Sequence, residues 1–266
     1  MRRFYLPVLR RRLSSSSSHN FPSYQSPYIL SIPQRLFVIP YFGIGSLLDP
    51  RRGDLVAGLG DSLIGTTHQL KKLHAKMSAS AAGRKVLVEK PLISEQSIDF
   101  SKLRSLPRDT LGFAYAEFMD SHAFSPDERS SVRFMVDKEL SYVMARYRQV
   151  HDFWHVLSGL PTSVLGEVAL KWFEWEASGL PSCALGGLLG PLRLAPHERA
   201  MLRREYLPWA LRAGGACRCL LSFPYEDHFE RTLADVREDL RLEPAPVCLP
   251  ACTRHASSEE ASREGV

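Results

Sequence analysis

The chain has 266 residues, with 34 basic and 29 acidic side chains and a net charge of +5. Residues 1–48 contain no Asp or Glu, and they carry five arginines ahead of a serine run: Arg2, Arg3, Arg10, Arg11 and Arg12. Without these arginines the basic count falls to 29 and equals the acidic count. The basic character therefore belongs to the N-terminus, and nucleic-acid binding is not indicated.

The two ends of the chain differ in composition from its middle. The arginine-rich, serine-rich and acid-free start is typical of a mitochondrial presequence, which we assign to residues 1–27, and a disordered basic tail is the alternative. Residues 247–266 are rich in Ser, Glu and Ala and are predicted to be a disordered tail. Residues 28–246 remain, and they are long enough for one sizeable domain.

No segment is predicted to cross a membrane. The longest charge-free apolar run, residues 36–48, has 13 residues and is interrupted by Pro40, Gly43 and Gly45, whereas a spanning helix needs about 20. A second apolar run, residues 183–192, is shorter and rich in glycine. Both runs are suited to lie against lipid or to line a tunnel for an apolar chain, and ordinary packing is the alternative.

The middle of the chain is predicted to be all-α, a single multi-helix domain, because helical spacing of apolar residues recurs and strand-type alternation is hard to find. One helix should follow Thr110, and residues 61–77 also have helical spacing. The five cysteines are odd in number and lack paired C-x-x-C spacing. Neither a disulfide framework nor a cysteine zinc site is therefore expected.

A long helix is predicted to begin at Asp137 and to end at the sequence Ser158-Gly159-Leu160-Pro161. Its buried stripe starts with four apolar side chains: Leu140, Val143, Met144 and Tyr147. The continuation of this stripe reaches His151 and then Trp154 or His155. Histidines thus occupy positions where the pattern favours apolar residues.

A second helix is predicted after this break, capped by Thr162 or Ser163 and ended by Gly179. The side chains predicted to point inward are Val164, Leu165, Val168, Trp172 and Trp175. The short break should return Glu167 toward the histidines, and Lys171 is a candidate salt-bridge partner of Glu167.

A helix-turn-helix metal site is the main functional prediction. His151 and His155 are four residues apart and share a helical face, Asp152 lies three residues before His155, and Glu167 arrives from the second helix. A pair of satisfied core histidines is the alternative, but two imidazoles and a carboxylate are costly to bury together without a partner such as a metal.

These residues resemble a known family. His151-Asp152-x-x-His155, followed after eleven residues by Glu167, lies in a stretch, residues 146–174, that is similar to the mitochondrial ubiquinone (coenzyme Q) biosynthesis proteins described as scaffolds of the coenzyme Q complex. Further similar stretches are residues 118–120, 190–194, 206–210 and 225–226. The resemblance covers about residues 28–246 and implies that all four motif residues are zinc ligands.

The resemblance also implies an activity and a location. Family members are assigned the C1 decarboxylation of 4-hydroxy-3-methoxy-5-polyprenylbenzoate to 2-methoxy-6-polyprenylphenol, with more recent views coupling it to hydroxylation. They are all-α proteins, peripheral on the matrix face of the inner membrane. The implied partners are the other coenzyme Q enzymes, the polyprenylated substrate and the lipid surface, and a homodimer is a further candidate assembly. The ligand types are also compatible with iron or manganese.

Three functions remain open from the sequence. The first is the metal-dependent carbon–carbon lyase of the ubiquinone pathway, and the second is a non-catalytic organiser that presents a lipid intermediate to other enzymes. The third is a metal phosphohydrolase of the HD type, which would need an upstream histidine and a downstream aspartate. His122 and either Asp227 or Asp235 are the rough candidates.

Overall fold

A computed structural model describes residues 30–49 and 52–246 of the chain. These residues are mostly helical, with one isolated β-bridge between Thr110 and Thr232 and no strand among them. The predicted all-α class is therefore confirmed for this part of the chain. The predicted presequence, residues 1–27, and the predicted tail, residues 247–266, lie outside the described residues.

The described residues form twelve α-helices, joined by short 3-10 turns and one π turn. The helices are α1 (Ile32–Leu48), α2 (Gly53–Ser62), α3 (Thr66–Ser78), α4 (Ala81–Glu89), α5 (Phe100–Arg104), α6 (Leu111–His122), α7 (Lys138–Ser158), α8 (Val164–Ser178), α9 (Pro181–Leu189), α10 (Pro196–Met201), α11 (Leu207–Ala216) and α12 (Leu233–Leu240).

The two helices of the predicted metal site begin and end where the sequence indicates. The Asp137 carboxylate accepts hydrogen bonds from two backbone N–H groups in the first turn of α7, which ends at Gly159 with φ 74°. Ser163, and not Thr162, caps α8, and Gly179 ends it with φ 67°. Side-chain oxygens thus satisfy the free N–H groups, and glycine adopts the left-handed conformation that closes each helix.

Two other predicted helices have different outcomes. Thr110 caps α6, as expected, and its hydroxyl accepts a hydrogen bond from a first-turn backbone N–H. Residues 61–77, which have helical spacing, are divided between α2 and α3. The division lies at Gly65, which has φ 92° and therefore cannot continue a right-handed helix.

The main core surrounds α7 and α8. Val143, Val150 and Phe153 of α7 are fully buried, and α8 packs along α11 with Phe173 stacked on Trp209 at 5.6 Å between ring centroids. Four of the five side chains predicted to point inward from α8 lie in this core or against it: Leu165, Val168, Trp172 and Trp175.

The inward prediction for Val164 is wrong, because this side chain is 37% exposed. Val164 is the first residue of α8 and projects from its end. Burial on α8 therefore begins one residue later, at Leu165, which is 2% exposed.

Helices α1 and α2 form a separate small core around Phe42, Leu55 and Leu59. Gly58 permits their close approach, since a Cβ atom there would lie 2.5 Å from the Phe42 ring. The outer face of α1 is apolar and exposed at six large side chains: Ile32, Leu36, Phe37, Tyr41, Ile44 and Leu48. No helix in residues 30–49 and 52–246 combines the length and apolar character that a bilayer crossing requires.

Candidate metal centre

Three of the four predicted ligands meet between α7 and α8. The rings of His151 and His155 lie one turn apart, 4.9 Å between centroids and nearly perpendicular. Glu167, in the first turn of α8, has Oε1 at 3.0 Å from Nε2 of His155 and Oε2 at 3.8 Å from Nε2 of His151. One ligand atom from each residue lies within 4.8 Å of the other two.

Both histidines use Nδ1 to bond the surrounding protein. Nδ1 of His155 lies 3.0 Å from the carbonyl oxygen of Leu160, and Nδ1 of His151 lies 2.6 Å from Oε1 of Glu174. A carbonyl or a carboxylate can only accept a hydrogen bond, so each Nδ1 donates its proton. In the neutral imidazoles, the lone pair is then on Nε2, the atom that faces Glu167.

The donor set fits a divalent cation. The Nε2 atom of His155 is buried, and no aligned hydrogen bond reaches it, although an unpaired buried polar atom is costly. The Glu167 side chain is 37% exposed, so the group is open on that side. Two imidazole nitrogens, one carboxylate and an open position match the ligand pattern of catalytic zinc sites.

The charges of the group favour an ionised Glu167. Burial raises the pKa of this carboxyl, but in the metal-free protein the charge of a protonated His155 and its hydrogen bond outweigh burial and lower the pKa to about 2. The same pairing raises the pKa of His155 against the opposing effect of burial. Glu167 is therefore an anion at neutral pH, as a metal ligand must be.

Asp152, the fourth predicted ligand, lies apart from this group. Its Oδ2 atom pairs with the guanidinium of Arg129 at 2.5 Å, and Arg129 also donates to the hydroxyl of Tyr115. The charge of Asp152 still raises the pKa of His155, three residues on. Metal binding by the four predicted residues stays a prediction, and the geometry brings together His151, His155 and Glu167.

Glu174 is a further residue of this site, and no role for it was predicted from the sequence. This fully buried side chain lies behind His151 and also accepts from Lys171, whose Nζ is 2.6 Å from Oε2. The sequence makes Lys171 a candidate partner of Glu167, but its ion pair is with Glu174. The available signal was spacing: Glu174 follows Lys171 by three residues and Glu167 by seven, which places all three on one side of α8.

The residues required by an HD-type phosphohydrolase do not join the group. Nδ1 of His122 bonds the carbonyl oxygen of Phe118 at 2.8 Å. Asp227 pairs with Lys85 at 2.6 Å, and Asp235 lies in the first turn of α12. None of these three candidates belongs to the cluster of close ligand atoms.

Comparison with known families decides the identity. The family model described as coenzyme Q (ubiquinone) biosynthesis protein Coq4 matches residues 24–246. The chain belongs to the Coq4 family of ubiquinone biosynthesis proteins. The matched segment contains the whole candidate metal centre and every described helix.

Individual relatives agree with this assignment. The mitochondrial ubiquinone biosynthesis protein COQ4 homolog of Danio rerio is 43% identical over 237 residues, covering 89% of this chain and 86% of the relative. The Schizosaccharomyces japonicus protein is 41% identical over 83% of this chain and 92% of its own length. The human homolog is 42% identical over 76% of each chain. All three are named as mitochondrial.

A solved structure shares the fold. A Nostoc punctiforme protein described as a ubiquinone biosynthesis protein has a TM-score of 0.61 and 21% identity, covering 77% of this chain and 97% of its own. At this identity the likeness concerns the fold alone.

Proposed function

We propose that this Coq4 family protein is a carboxy-lyase of ubiquinone biosynthesis that removes the C1 carboxylate of 4-hydroxy-3-methoxy-5-polyprenylbenzoate and yields 2-methoxy-6-polyprenylphenol. The observation that carries the proposal is the pair of Nε2 atoms facing Glu167, with each Nδ1 already engaged. Such a group binds a divalent metal, and its open side gives a substrate carboxylate access to it.

The reaction needs one proton and no oxidant. A proton adds to C1, and the phenol oxygen para to C1 donates electron density that stabilises the resulting ring cation. The bond from C1 to the carboxylate then breaks, its electron pair restores the aromatic ring, and carbon dioxide leaves. The carboxylate is thus exchanged for a proton, and electrons balance without any redox partner.

The metal centre is proposed to bind one divalent ion through His151, His155 and Glu167, with Asp152 as a fourth candidate. Bound zinc would act as a Lewis acid that polarises a carboxylate or lowers the pKa of a water. Zinc is redox-inert and is sufficient for decarboxylation alone. Iron or manganese would suit the same ligand types, and a coupled hydroxylation would need such a metal or a separate oxidant.

The protein's own groups have distinct roles in this proposal. Glu167, with a pKa lowered to about 2, is an anion and serves as ligand, not as proton donor. The Nδ1 bonds to Leu160 and Glu174 hold the imidazoles in fixed orientations. Lys171 is neutralised by Glu174 and therefore does not compete for the substrate carboxylate.

We also propose a peripheral location on the matrix side of the mitochondrial inner membrane. The relatives named mitochondrial and the acid-free, arginine-rich start of the chain support import. The exposed apolar face of α1 supports insertion into the lipid surface, where a polyprenyl chain resides. Carbonate should release the imported protein from inner membranes, and resistance to carbonate or recovery in the cytosol would count against this location.

The second candidate function is an organiser of the multi-enzyme coenzyme Q complex. The exposed α1 face favours it, because the same apolar surface could bind a pathway enzyme or a second copy of the chain. The two functions differ in what the isolated protein can do. Purified protein of defined metal content should convert the prenylated hydroxybenzoate without another pathway enzyme, and an organiser would leave the substrate unchanged.

A further inference from the structure

The carboxylate of Glu174 is fully buried, and its two oxygens have different partners. Oε1 lies 2.6 Å from Nδ1 of His151. Oε2 has three partners: Lys171 at 2.6 Å, the Tyr147 hydroxyl at 2.7 Å and the Cys183 thiol at 3.5 Å. Burial of a lone carboxylate is costly, and these contacts are what compensate for it.

We propose that Glu174 is a positioning residue that fixes the tautomer of His151 and so keeps the Nε2 lone pair available to the metal. This inference rests on the proposed metal site and deepens it. The donors on Oε2 prevent rotation of the carboxylate, so Oε1 stays directed at His151. Carboxylates that accept from a ligand histidine also raise its basicity as a ligand.

Because of Lys171, the tautomer of His151 depends on which side chain occupies position 174. An ammonium group can only donate hydrogen bonds. In Glu174→Gln the amide oxygen would therefore face Lys171, and the amide N–H group would face His151. Nδ1 would have to accept that hydrogen bond, which moves the imidazole proton to Nε2 and blocks metal binding by His151.

Removal of the Lys171 ammonium group should rescue the tautomer. In the double variant Lys171→Met with Glu174→Gln, nothing at position 171 requires the amide oxygen. That oxygen can then turn to His151 and accept from Nδ1, while the amide N–H group donates to the Tyr147 hydroxyl. The Nε2 lone pair is restored, although a neutral amide is a weaker acceptor than a carboxylate.

The test combines two measurements on purified protein. Long-range ¹H–¹⁵N spectra of the metal-free protein report the His151 tautomer, and competition with a chromophoric chelator reports Zn²⁺ affinity. Glu174→Gln should shift His151 to the Nε2–H tautomer and lower Zn²⁺ affinity about 10- to 100-fold. The double variant should return the Nδ1–H tautomer and recover part of the affinity. Glu176→Gln is the matched control, because Glu176 is exposed on the same helix.

The outcomes separate this inference from the proposed function. A folded Glu174→Gln protein with wild-type tautomer and wild-type Zn²⁺ affinity would overturn the role of Glu174. If this variant does not fold, the double variant decides: an Nε2–H tautomer of His151 there would overturn the role of Glu174, because the amide oxygen is then free to accept from Nδ1. Undiminished Zn²⁺ binding in Glu167→Ala would instead overturn the metal centre. The tautomer measurement would still test the role of Glu174 in orienting His151.

Discussion

His155 and Leu160 link the metal centre to the turn that builds it. The Nδ1 atom of His155 donates to the carbonyl oxygen of Leu160 at 3.0 Å, five residues later and just past the end of α7. The turn between α7 and α8 therefore has two effects. It fixes the imidazole of His155, and it returns the chain so that Glu167 approaches Nε2 of the same ring.

Gly166 offers a way to perturb this turn without changing a ligand. A Cβ atom at this position would lie 2.1 Å from the carbonyl oxygen of Pro161, so Gly166→Ala must displace the start of α8 and Glu167 with it. We expect destabilisation of about 1–3 kcal/mol, typical of overpacking, and weaker Zn²⁺ binding. Chemical denaturation and chelator competition measure the two effects.

Gly53 provides the control for this substitution. A Cβ atom at Gly53 would meet nothing within 4 Å, so Gly53→Ala should leave Zn²⁺ affinity unchanged. If Gly166→Ala bound Zn²⁺ as tightly as Gly53→Ala, the turn would not position Glu167 for the metal.

His155→Ala is the direct test of metal binding. The variant removes a buried ligand nitrogen that has no aligned hydrogen bond, and metal content should fall from about one ion per chain to nearly none. Elemental analysis of dialysed protein measures this. His197→Ala is the control, because His197 is exposed on α10, away from the ligand cluster. Stoichiometric metal in the His155 variant would refute the assignment.

Much of this arrangement could be predicted from the sequence, because caps and spacing act locally. Asp137, Gly159, Ser163 and Gly179 bound the two helices through hydrogen bonds and backbone angles within a few residues. The four-residue spacing places the two histidines on one face of α7, and the short turn brings Glu167 within range of them. Both effects are local, so the sequence indicates them.

The partners of Asp152 and Glu174 could not be predicted, because they depend on contacts between distant residues. Arg129 pairs with Asp152 across 23 positions of sequence, and no local pattern indicates that pairing. Glu174 and His151 are likewise 23 residues apart. In the sequence, Glu174 lies between Phe173 and Trp175 and is typical of an ordinary polar position. Only the packing of α8 against α7 makes it a buried partner of a ligand.

Glu167→Gln separates the lyase from the organiser. The two side chains are isosteric, so helix packing should change little, whereas the loss of negative charge weakens the metal ligand. If the metal performs the chemistry, the coenzyme Q complex should assemble while the prenylated hydroxybenzoate accumulates in mitochondria. Quantitative lipid mass spectrometry and native gels measure both. Normal ubiquinone synthesis in an assembled, metal-free variant would contradict catalysis.

The buried thiol of Cys183 should resist alkylation. Burial, with the adjacent charge of Glu174, raises its pKa to about 12 from an ordinary value of 9. At pH 8 this lowers the thiolate fraction about a thousandfold. The folded state holds this proton more tightly, so the resulting stability is present below pH 9 and is lost as the pH rises toward 12.

Timed iodoacetamide labelling with peptide mass spectrometry tests the state of Cys183. Cys219 is only partly buried and provides the internal comparison. Cys183 should be labelled only after unfolding, and Cys183→Ala should lose less stability than the wild type between pH 9 and 12. Equal labelling rates of Cys183 and Cys219 in the folded protein would show that the network around Glu174 is open.

The exposed face of α1 predicts direct lipid binding. Phe37 is 79% exposed and Ile44 is 60% exposed, and transfer of each large apolar side chain into the interface is favourable. The double variant Phe37→Glu with Ile44→Glu should therefore reduce vesicle binding at least about tenfold, given about 1.5–3 kcal/mol for each fully buried side chain. Flotation with neutral phosphatidylcholine vesicles measures it and removes any contribution from the N-terminal arginines.

Val88→Glu is the matched control for this surface. Val88 is 82% exposed but lies on α4, away from the small core that α1 forms with α2. Its substitution adds one negative charge, half that of the double variant, at a similarly exposed apolar position, so vesicle binding should remain unchanged. Equal losses in both proteins would mean that net charge, not the α1 face, governs binding. Retained flotation of the α1 variant would place the lipid-binding surface elsewhere on the protein.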